Sequence, residues 1–571
     1  MKPNQLTPSS VVANWKRDKN YKAKMGFTSK WPEFVNFKEG VQWSATAMAK
    51  WKNFPFITIN QCNFIINNRK SNILSRSLKL IFEPEETPEG SNEAMEKELD
   101  EKAKDFTALA ENTWKDVDQD QLNNDAVDDA LTIGTGAVHY YFDDNYVGNG
   151  KTTTVGKICG HTIDVMDIAL GNPLLKPYEI DKQPFIIVKT YEDTEQVKEY
   201  AKKNGENHLF ITHDVDNDEE YESGKNDVEQ SNKTVCYTMY YMDKGEVHWI
   251  KTTAGATVQK AKRLSPSKQK ITSYPISILV FETRKKCTFG RSALEDAISV
   301  QKGINFLYSM IAYGVQQASW PKIIAKAGAL LQSITNVPGE VITDHDKTGA
   351  GDPIKYLQIP SFSGQPQNLI DNLTAALRQT TGSDQTISGE AIGANMAAAA
   401  VLALQNQAKK PNDYAERQLL GFNKRIGKIW EQMFKAYYIL PRSIVKEDRK
   451  GKKTSKSITP SDYSDVQFGL SVDVGPGGDF SESLQLTVVE SMYQKGDLTK
   501  YEYVKYAPNN LVPQDMKSDF EEQEEEIKAQ QMNPQNPQSP QGNPQDIMSQ
   551  LTPEEQAYVQ QNPQILEQMG V

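Results

Sequence analysis

The stretch that decides the fold of this chain is GRSALEDAISVQKGINFLYSMIAYGVQQAS, residues 290–319. Ser292, followed by Glu295 three residues later, has the spacing of a capping box at a helix start. The apolar residues recur at helical spacing along one side: Leu294, Ile298, Ile304, Leu307, Ile311 and Val315. The stretch therefore predicts one long amphipathic helix with a broad apolar face.

An insert and a second helix follow this first helix. The insert, PKIIAKAGALLQSITNVPGEVITDHDKTGAGDPIKYLQIP at 321–360, is bounded by prolines and rich in glycine, which predicts short strands joined by turns. PQNLIDNLTAALRQT at 366–380 predicts a second helix that ends before Gly382. A polar loop with two further glycines comes next.

Residues 394–439 predict a third helix, Ala-rich at first and amphipathic afterwards. Pro411 should kink or split it, because an interior proline removes a hydrogen bond and clashes with the preceding turn. Its apolar face continues through six residues: Leu419, Phe422, Ile426, Ile429, Trp430 and Phe434.

The order of these elements resembles the portal proteins of tailed double-stranded DNA bacteriophages. GRSALEDAISVQKGIN, the insert, TTGSDQTISGE and the long helix carry the resemblance. Two further segments match. WPEFVNFKEGVQWS with FPFITINQCNFIINNRKSNIL resembles the Trp-containing opening segment and helix of portals, and FGLSVDVGPGGDFSES at 468–483 resembles the strand and turn that close the wing. The three matches occur in the family's order.

The resemblance implies an α+β portal fold of the short-tailed phage type, assembled as a ring. It implies a β-rich wing, a helical stem, a small α/β clip and a helical crown. The regions are the N-terminal arm and wing (1–290), stem helix (291–319), clip (320–365), stem helix (366–381), tunnel loop (382–395), long kinked helix (396–440), wing closure (441–483), crown helices (484–531) and low-complexity flexible tail (532–571).

The resemblance also implies two sites. The tunnel loop would face DNA through Gly382, Ser383, Asp384, Gln385, Thr386, Ile387, Ser388 and Glu390. The clip would dock the packaging motor or an adaptor through Asp344, His345, Asp346, Lys347, Asp352 and Lys355. The chain has no Lys or Arg between Arg378 and Lys409, so DNA contact in the tunnel loop would be steric and loose. The alternative is an ordinary connection between two helices.

The function implied is a dodecameric channel at one capsid vertex, through which genomic DNA is packaged, retained and ejected. Its partners would be further copies of the chain, double-stranded DNA, the terminase large subunit, major capsid and scaffolding proteins, and neck or tail adaptors. The protein would reside in the virion after assembly in the host cytoplasm, without cofactor or metal, and the docked terminase would hydrolyse ATP. Two alternatives stay open: another head–tail connector or adaptor, which is usually much shorter, and a nucleic-acid-processing enzyme.

Composition fits a conduit better than a DNA clamp. The formal net charge of −11 argues against binding through a basic groove, and counterion-release binding would hold DNA in place. The one basic stretch, 442–456, is expected to be a solvated loop. The chain has no apolar run long enough for a membrane span. No signal peptide is evident at the start, and four dispersed cysteines predict reduced thiols in a cytoplasm.

No motif for catalysis or metal binding is complete. Asp214, Asp216 and Asp218 begin like a calcium loop, which then lacks the required glycine and glutamate. DKTGAGDP at 346–353 lacks the ending of a phosphate-binding loop, and GPGGD at 475–479 predicts a turn. His208 and His213 form no established metal-binding pattern, and a metal there is an unfavoured alternative.

The N-terminal half predicts an α+β region. Residues 1–30 could be a flexible arm or a helix. Trp31, Phe34, Phe37 and Trp43 fit a buried anchor better than a platform for stacking bases. A helix is expected around Phe64 and a strand at 77–84. The charged stretch from Glu83 to Glu101 should begin as a solvated loop, with helix again by Ala103 and on toward Thr132. The predicted strands are VHYYF, FIIVKTY, VCYTMYYM, VHWIKT and YPISILVF, with a short helix at DTEQVKEYAKKNG. Helices are expected again from 484.

Overall fold

The computed structural model describes residues 6–84, 93–147, 155–213, 232–319, 323–325, 354–356, 365–381, 398–447, 453–463, 466–474, 489–496, 498 and 500–506. The chain divides into two compact units. The first comprises Met1–Lys446 and Thr454–Gly478, and the second Glu447–Lys453 and Asp479–Val571.

Helices and strands alternate in blocks, as an α+β chain requires. The helices are α1 (Pro8–Lys24), α2 (Phe27–Glu39), α3 (Ala45–Lys50), α4 (Gln61–Ile73), α5 (Glu93–Asp116), α6 (Gln119–Thr132), α7 (Thr194–Lys203), α8 (Ala297–Ser319), α9 (Gln365–Thr381), α10 (Ala398–Tyr437), α11 (489–495) and α12 (Lys500–Tyr506). The strands are β1 (Leu78–Pro84), β2 (Gly136–Val147), β3 (Val155–Thr162), β4 (Ile168–Leu170), β5 (Phe185–Asp193), β6 (Lys233–Asp243), β7 (Glu246–Thr252), β8 (Thr257–Arg263), β9 (Ile276–Leu279), β10 (Ile323–Ala325), β11 (Ile354–Tyr356), β12 (Arg442–Glu447), β13 (Lys453–Ile458) and β14 (Phe468–Val474).

The β-rich region contains two larger antiparallel sheets. Five strands pair in the order β4-β5-β6-β7-β8, and three pair in the order β3-β2-β9. All five strand segments predicted from β-branched and aromatic enrichment are strands here, and the short helix predicted among them is α7. β1 pairs antiparallel with β14, which brings residues separated by almost four hundred positions together. The strand predicted at 468 is thus confirmed.

Of the two alternatives for residues 1–30, a flexible arm or a helix, the structure shows a helix, α1. Thr7 caps it, accepting a hydrogen bond from the Ser10 amide, and Pro8 occupies its first turn. Trp15 is 5% exposed and packs on Tyr237 of the five-stranded sheet at 5.6 Å between ring centroids. The Lys22 ammonium donates to the Val165 carbonyl at 2.8 Å. The described part of this region is therefore a docked helix.

The aromatic group of α2 is an internal anchor. Trp31, Phe34 and Phe37 are buried, and Trp31 stacks on Phe27 with ring centroids 4.8 Å apart. Because these side chains are inaccessible, they cannot act as a platform for nucleic-acid bases. Trp43 differs from the other three and is half-buried.

Three element boundaries differ from the sequence prediction. Helix α4 begins at Gln61, before Phe64, because the Asn60 side chain accepts from the Asn63 amide and caps it. Helix α5 begins at Glu93, so the charged loop expected up to Glu101 is partly helical. The helix expected to run on to Thr132 is broken, since Asp118 adopts a left-handed conformation with φ 55° between α5 and α6.

The basic stretch 442–456 is not a solvated loop where the structure describes it. It contains β12 and the start of β13, which pair with each other. The Arg442 guanidinium lies 3.5 Å from the centroid of the Tyr438 ring, and the Lys456 ammonium donates to buried Asp105 at 2.8 Å. Two of the cations are therefore used internally.

Helix α10 runs through Pro411 without a break, so the proline does not split it. Whether it bends the helix stays a prediction. All six residues of the apolar face predicted from Leu419 to Phe434 are buried, and they belong to the largest core cluster. Trp430 is fully buried there, in edge-on contact with Trp114 and Tyr140.

The second unit is described at the strand residues Glu447 and Lys453 and in two short helical segments. Residues 489–495 and α12 are helical, as expected after 484, and Tyr493 lies against Tyr503 with ring centroids 4.9 Å apart. The incomplete motifs at 214–218, 346–353 and 475–479 lie outside the described residues, and so does the tail from 532.

Candidate functional site

Helices α8 and α9 precede and follow the central insert in the chain, and the described residues of the insert form a two-stranded sheet. Strand β10 pairs antiparallel with β11, with Ile323 opposite Tyr356. Of the predicted clip residues, Lys355 lies in β11. The other clip residues, from Asp344 to Asp352, and the tunnel-loop residues from Gly382 to Glu390 lie outside the described residues.

The start of α8 differs from the prediction. The helix begins at Ala297, and Ser292 does not form a capping box. The Ser292 hydroxyl donates to the Thr132 carbonyl at 2.5 Å, at the end of α6. The Glu295 carboxylate accepts from Arg284 at 2.5 Å. Burial raises the pKa of Glu295, but Arg284 and Lys30 together outweigh it, and the pKa lies below its ordinary value. Tertiary partners thus replace the local cap.

Helices α8 and α9 pack through part of the predicted apolar face. Ile304 of α8 and Ile370 and Leu377 of α9 are buried between them and their neighbours. Leu373 passes close to Gly303, where an added Cβ would lie 3.7 Å from its Cδ1 atom. A Cβ at this position would make an ordinary van der Waals contact, so the packing of α9 on α8 here does not depend on glycine.

The rest of that face is not core. Leu307 and Ile311 are half-buried, and Val315 is 58% exposed. The second half of the predicted apolar stripe is therefore only partly covered within the described part of the chain.

The fully buried side of α8 is polar instead. Gln301, Asn305 and Ser309 follow each other at intervals of four residues and are at most 1% exposed. The Asn305 side-chain oxygen accepts from the backbone amide of Ile59 at 3.1 Å, and the Ser309 hydroxyl oxygen accepts from that of Ile57 at 2.9 Å. These side chains hold the non-helical segment that precedes α4.

Gln301 completes this contact, which we call the polar ladder (Gln301, Asn305 and Ser309). Its amide nitrogen donates to the Ile59 carbonyl at 2.6 Å, and its oxygen accepts from the Gln61 amide at 3.3 Å. Both backbone groups of Ile59 are thus bound by α8. The Asn305 amide nitrogen donates in turn to Gln42 at 2.5 Å.

The spacing of residues in a helix and in an extended chain explains why all three side chains of the polar ladder reach the backbone of the segment before α4. Four helical residues advance about 6.0 Å along the axis, and two residues of extended chain advance about 6.6 Å. Every fourth side chain of α8 can therefore meet every second residue of the segment from Ile57 to Gln61. Sequence reading missed this site because amides and a hydroxyl at that spacing suggest a solvent-facing stripe.

The outer face of α9, opposite Ile370 and Leu377, is exposed and carries no charge. Its residues are Asn368, Leu369, Asn372, Ala375, Ala376 and Gln379. They recur at the three- and four-residue spacing of one helical face. The two charged side chains of α9, Asp371 and Arg378, lie to the side, around a cavity shared with Tyr308.

A cluster of aromatic rings lies on the other side of α8. Trp51, Phe54 and Phe306 are joined by centroid distances of 5.4 Å and 6.5 Å. Trp43, Phe56 and Tyr313 belong to the same cluster. The sequence hinted at it only through the density of aromatic residues around Phe54.

Nothing described in the structure suggests a metal or catalytic centre. No group of three or more His, Cys, Asp or Glu side chains within the described ranges could hold a metal ion. The four cysteines are free thiols, and burial raises the pKa of Cys62 and of Cys236 to about 12, which disfavours the reactive thiolate. No helix among the described residues could cross a membrane.

The sequence matches the model of the phage P22-like portal protein family over residues 179–570, more than two thirds of the chain. The chain belongs to this family. The matched range includes α8, α9 and α10, which first suggested a portal, while the resemblance seen around Trp31 precedes it. No curated protein matches the chain. The portal protein is thus a head–tail connector, a structural component of the virion at the capsid vertex, and its family is compatible with a short-tailed phage.

Proposed function

We propose that this portal protein forms a ring of twelve copies around a channel that admits, retains and releases double-stranded DNA. Helices α8 and α9 form the stem, and the outer face of α9 lines the channel. Residues 320–365 form the clip, which docks the terminase large subunit during packaging and neck or tail adaptors afterwards. The tunnel loop at 382–395 contacts the moving DNA. The protein acts as a passive conduit, and the docked motor hydrolyses ATP.

The uncharged outer face of α9 is the observation that carries this proposal. DNA held by lysines or arginines releases counterions and binds tightly, which would slow translocation. Asparagine, glutamine and alanine side chains tolerate water and a passing duplex without binding its phosphates strongly. The net charge of −11 per copy adds a general repulsion of DNA.

The polar ladder gives this stem a firm attachment. Buried amide networks with satisfied partners define one register, because any slip leaves polar groups unpaired. Helix α8 is thereby fixed to the segment before α4. The same segment is tied to α2, because the Asn60 side-chain nitrogen donates to the Lys38 carbonyl and the Asn60 side-chain oxygen accepts from Gln42. A stem held in this way can bear the load of DNA passing along it.

Electron microscopy of the purified full chain, alone and with scaffolding protein, tests the proposal. We expect rings of about twelve subunits with an open centre that admits a B-form duplex, and α9 at the wall of that opening. Particles without an opening under both conditions would contradict it. Rings with α9 on the outer circumference would refute the assignment of the channel wall.

A charge-addition experiment tests separately whether the uncharged outer face of α9 keeps DNA from binding. Replacing Asn368, Asn372 and Gln379 by lysine should create DNA binding that falls steeply with salt, as counterion release requires. The matched control places three lysines at Asn63, Asn67 and Ser71, exposed uncharged residues of α4, so that both variants gain three positive charges. Equal gains in DNA affinity for both variants would show that net charge alone matters.

A further inference from the structure

The aromatic cluster beside α8 is unusual because none of its rings is fully buried. Trp51 and Phe306 are each 41% exposed, and the other members are half-buried. We call this group the aromatic flank: Trp43, Trp51, Phe54, Phe56, Phe306 and Tyr313. Contiguous exposed apolar surface of this kind marks interaction sites in soluble proteins.

A groove adjoins the aromatic flank, and Trp43, Trp51 and Phe306 belong to its lining. It lies between α2, α3 and α8 and has a volume of about 860 Å³. Val41 at its edge is 44% exposed. Its two charged lining residues, Lys302 and Glu33, form an ion pair at 2.7 Å. The groove therefore presents a nearly neutral surface.

The sequence of α8 extends this neutrality along the helix. From Gly303 to Ser319 it contains no Asp, Glu, Lys or Arg, and Met310 is 37% exposed beside Phe306. A helix that faces water normally carries charges on its outer side. Depletion of charge and enrichment in Trp, Phe, Tyr and Met are the composition of a protein–protein interface core.

We propose that the aromatic flank and its groove receive a neighbouring copy of this same chain. Charge favours this occupant. Each copy carries −11, so two copies repel each other over most of their surfaces, and a neutral apolar patch allows close approach without that cost. Nucleic acid or an anionic membrane would need unpaired basic groups, whereas Lys302, the groove's lining cation, is already neutralised by Glu33.

The contact is heterologous: the aromatic flank of one copy meets a different surface of the next, so that successive contacts close a ring. This inference rests on the proposed ring and adds the surface that joins its members. Trp51 and Phe306 act as the anchors, since large aromatic side chains contribute most of the binding free energy in interfaces.

Phe306→Asp, compared with Phe64→Asp, tests the proposal. Both phenylalanines are 41% exposed, but Phe64 lies on α4 and does not line the groove. We expect Phe306→Asp to raise the concentration for half-assembly by roughly 100-fold, since it buries a charge at an anchor position. Phe64→Asp should assemble like the unmodified chain. Mass photometry reports assembly, and circular dichroism with thermal unfolding reports whether the monomer is folded.

A measurement on the unmodified chain covers the case in which Phe306→Asp fails to fold. Amide hydrogen exchange should slow in residues 303–315 on passing from monomer to assembly, and Trp51 should become less accessible to a fluorescence quencher. Unchanged exchange and quenching in the assembled protein would overturn the proposal, as would normal assembly of a folded Phe306→Asp variant.

The outcomes separate this inference from the proposed function. If the unmodified chain forms open rings and Phe306→Asp assembles equally well, the ring stands and the surface is wrong. If it forms only smaller assemblies that Phe306→Asp abolishes, the surface stands and the ring is wrong. If the unmodified chain stays monomeric at all concentrations with scaffolding protein present, both the ring and the surface are overturned. If the aromatic flank then binds scaffolding protein only, it is a docking site for that partner and not for a second copy.

Discussion

Helices α10 and α8 carry similar apolar periodicity and use it differently. All six apolar residues predicted to face the core on α10 are buried. Of the six predicted around α8 only Leu294, which precedes the helix, Ile298 and Ile304 are buried. The polar residues Gln301, Asn305 and Ser309 are buried as deeply as Ile304. Periodicity located the core in one helix and only half of it in the other.

The difference shows what each helix packs against. Helix α10 lies among side chains of α4, β9 and β14, where burying apolar area is favourable. Helix α8 lies against a segment whose backbone groups have no sheet neighbour, and unpaired backbone groups are costly to bury. The polar ladder supplies those partners, and the apolar remainder of α8 stays available for another molecule.

The largest effect is expected on α10. Trp430→Ala removes a fully buried ring that contacts Trp114 at 6.2 Å and Tyr140 at 5.7 Å. The free energy of unfolding should fall by about 4 kcal/mol, measured by denaturant unfolding. Trp51→Ala in the monomer is the control and should cost below about 1 kcal/mol. Equal costs would mean that the aromatic flank is core.

The polar ladder should give the next largest effect, with a sign that hydrophobicity alone would not predict. Asn305→Leu makes α8 more apolar, yet it removes the hydrogen bonds that Asn305 makes with the Ile59 amide and with the Gln42 side-chain oxygen. We expect a loss of about 2 kcal/mol in the free energy of unfolding and faster hydrogen exchange at Ile59.

Met310→Leu on the same helix is the control for this prediction. Met310 is 37% exposed, so the change should alter the free energy of unfolding by less than about 0.5 kcal/mol. A neutral or stabilising Asn305→Leu would show that the polar ladder contributes nothing net to stability.

Asp129 on α6 is a half-buried carboxylate, and it shows what a charged group costs where the polar ladder uses neutral amides. Burial, reinforced by the nearby carboxylates of Asp164 and Asp128, raises the pKa of Asp129 to about 7. Its folded-state pKa lies above the unfolded value, so the folded state binds the proton more tightly. Stability from this group is therefore lost as the pH rises from about 4 through 7.

Asp129→Asn should consequently stabilise the protein at pH 8, by an amount on the order of 2 kcal/mol, and this advantage should shrink as the pH falls from 7 toward 4. Denaturant unfolding at several pH values measures it. Asp128→Asn is the control with the opposite sign, because Asp128 pairs with Lys38 and Lys70. A gain at pH 8 for both variants would contradict this assignment.

The smallest effect is expected at the rim of the groove. Lys302→Met removes the ion pair with Glu33, in which the two side chains are 54% and 39% exposed, and the contact of the ammonium with the Phe37 ring, 5.3 Å from its centroid. The free energy of unfolding of the monomer should change by less than about 0.5 kcal/mol. A loss above about 1 kcal/mol would show that the contacts of Lys302 with α2 stabilise the fold more than an exposed ion pair does.

Much of the fold could be read from residue patterns. Alternating β-branched and aromatic residues identified β2, β5, β6, β7 and β9, and periodicity identified α9 and the buried face of α10. Boundaries were less accurate where a local signal competed with a distant partner. Ser292 and Glu295 have the spacing of a cap, but Thr132 and Arg284 bind them instead.

The sequence by itself determined the α+β class, the order of the helices around the central insert and the resemblance to portals, because these follow from local periodicity and motif order. Only the tertiary structure decided which side of α8 is buried. The hydrogen bonds from Ile57, Ile59 and Gln61 join residues some 240 positions apart in the chain, and no local pattern shows that a distant backbone needs a partner. The same structure leaves the aromatic flank partly exposed, with Trp51 and Phe306 each 41% accessible.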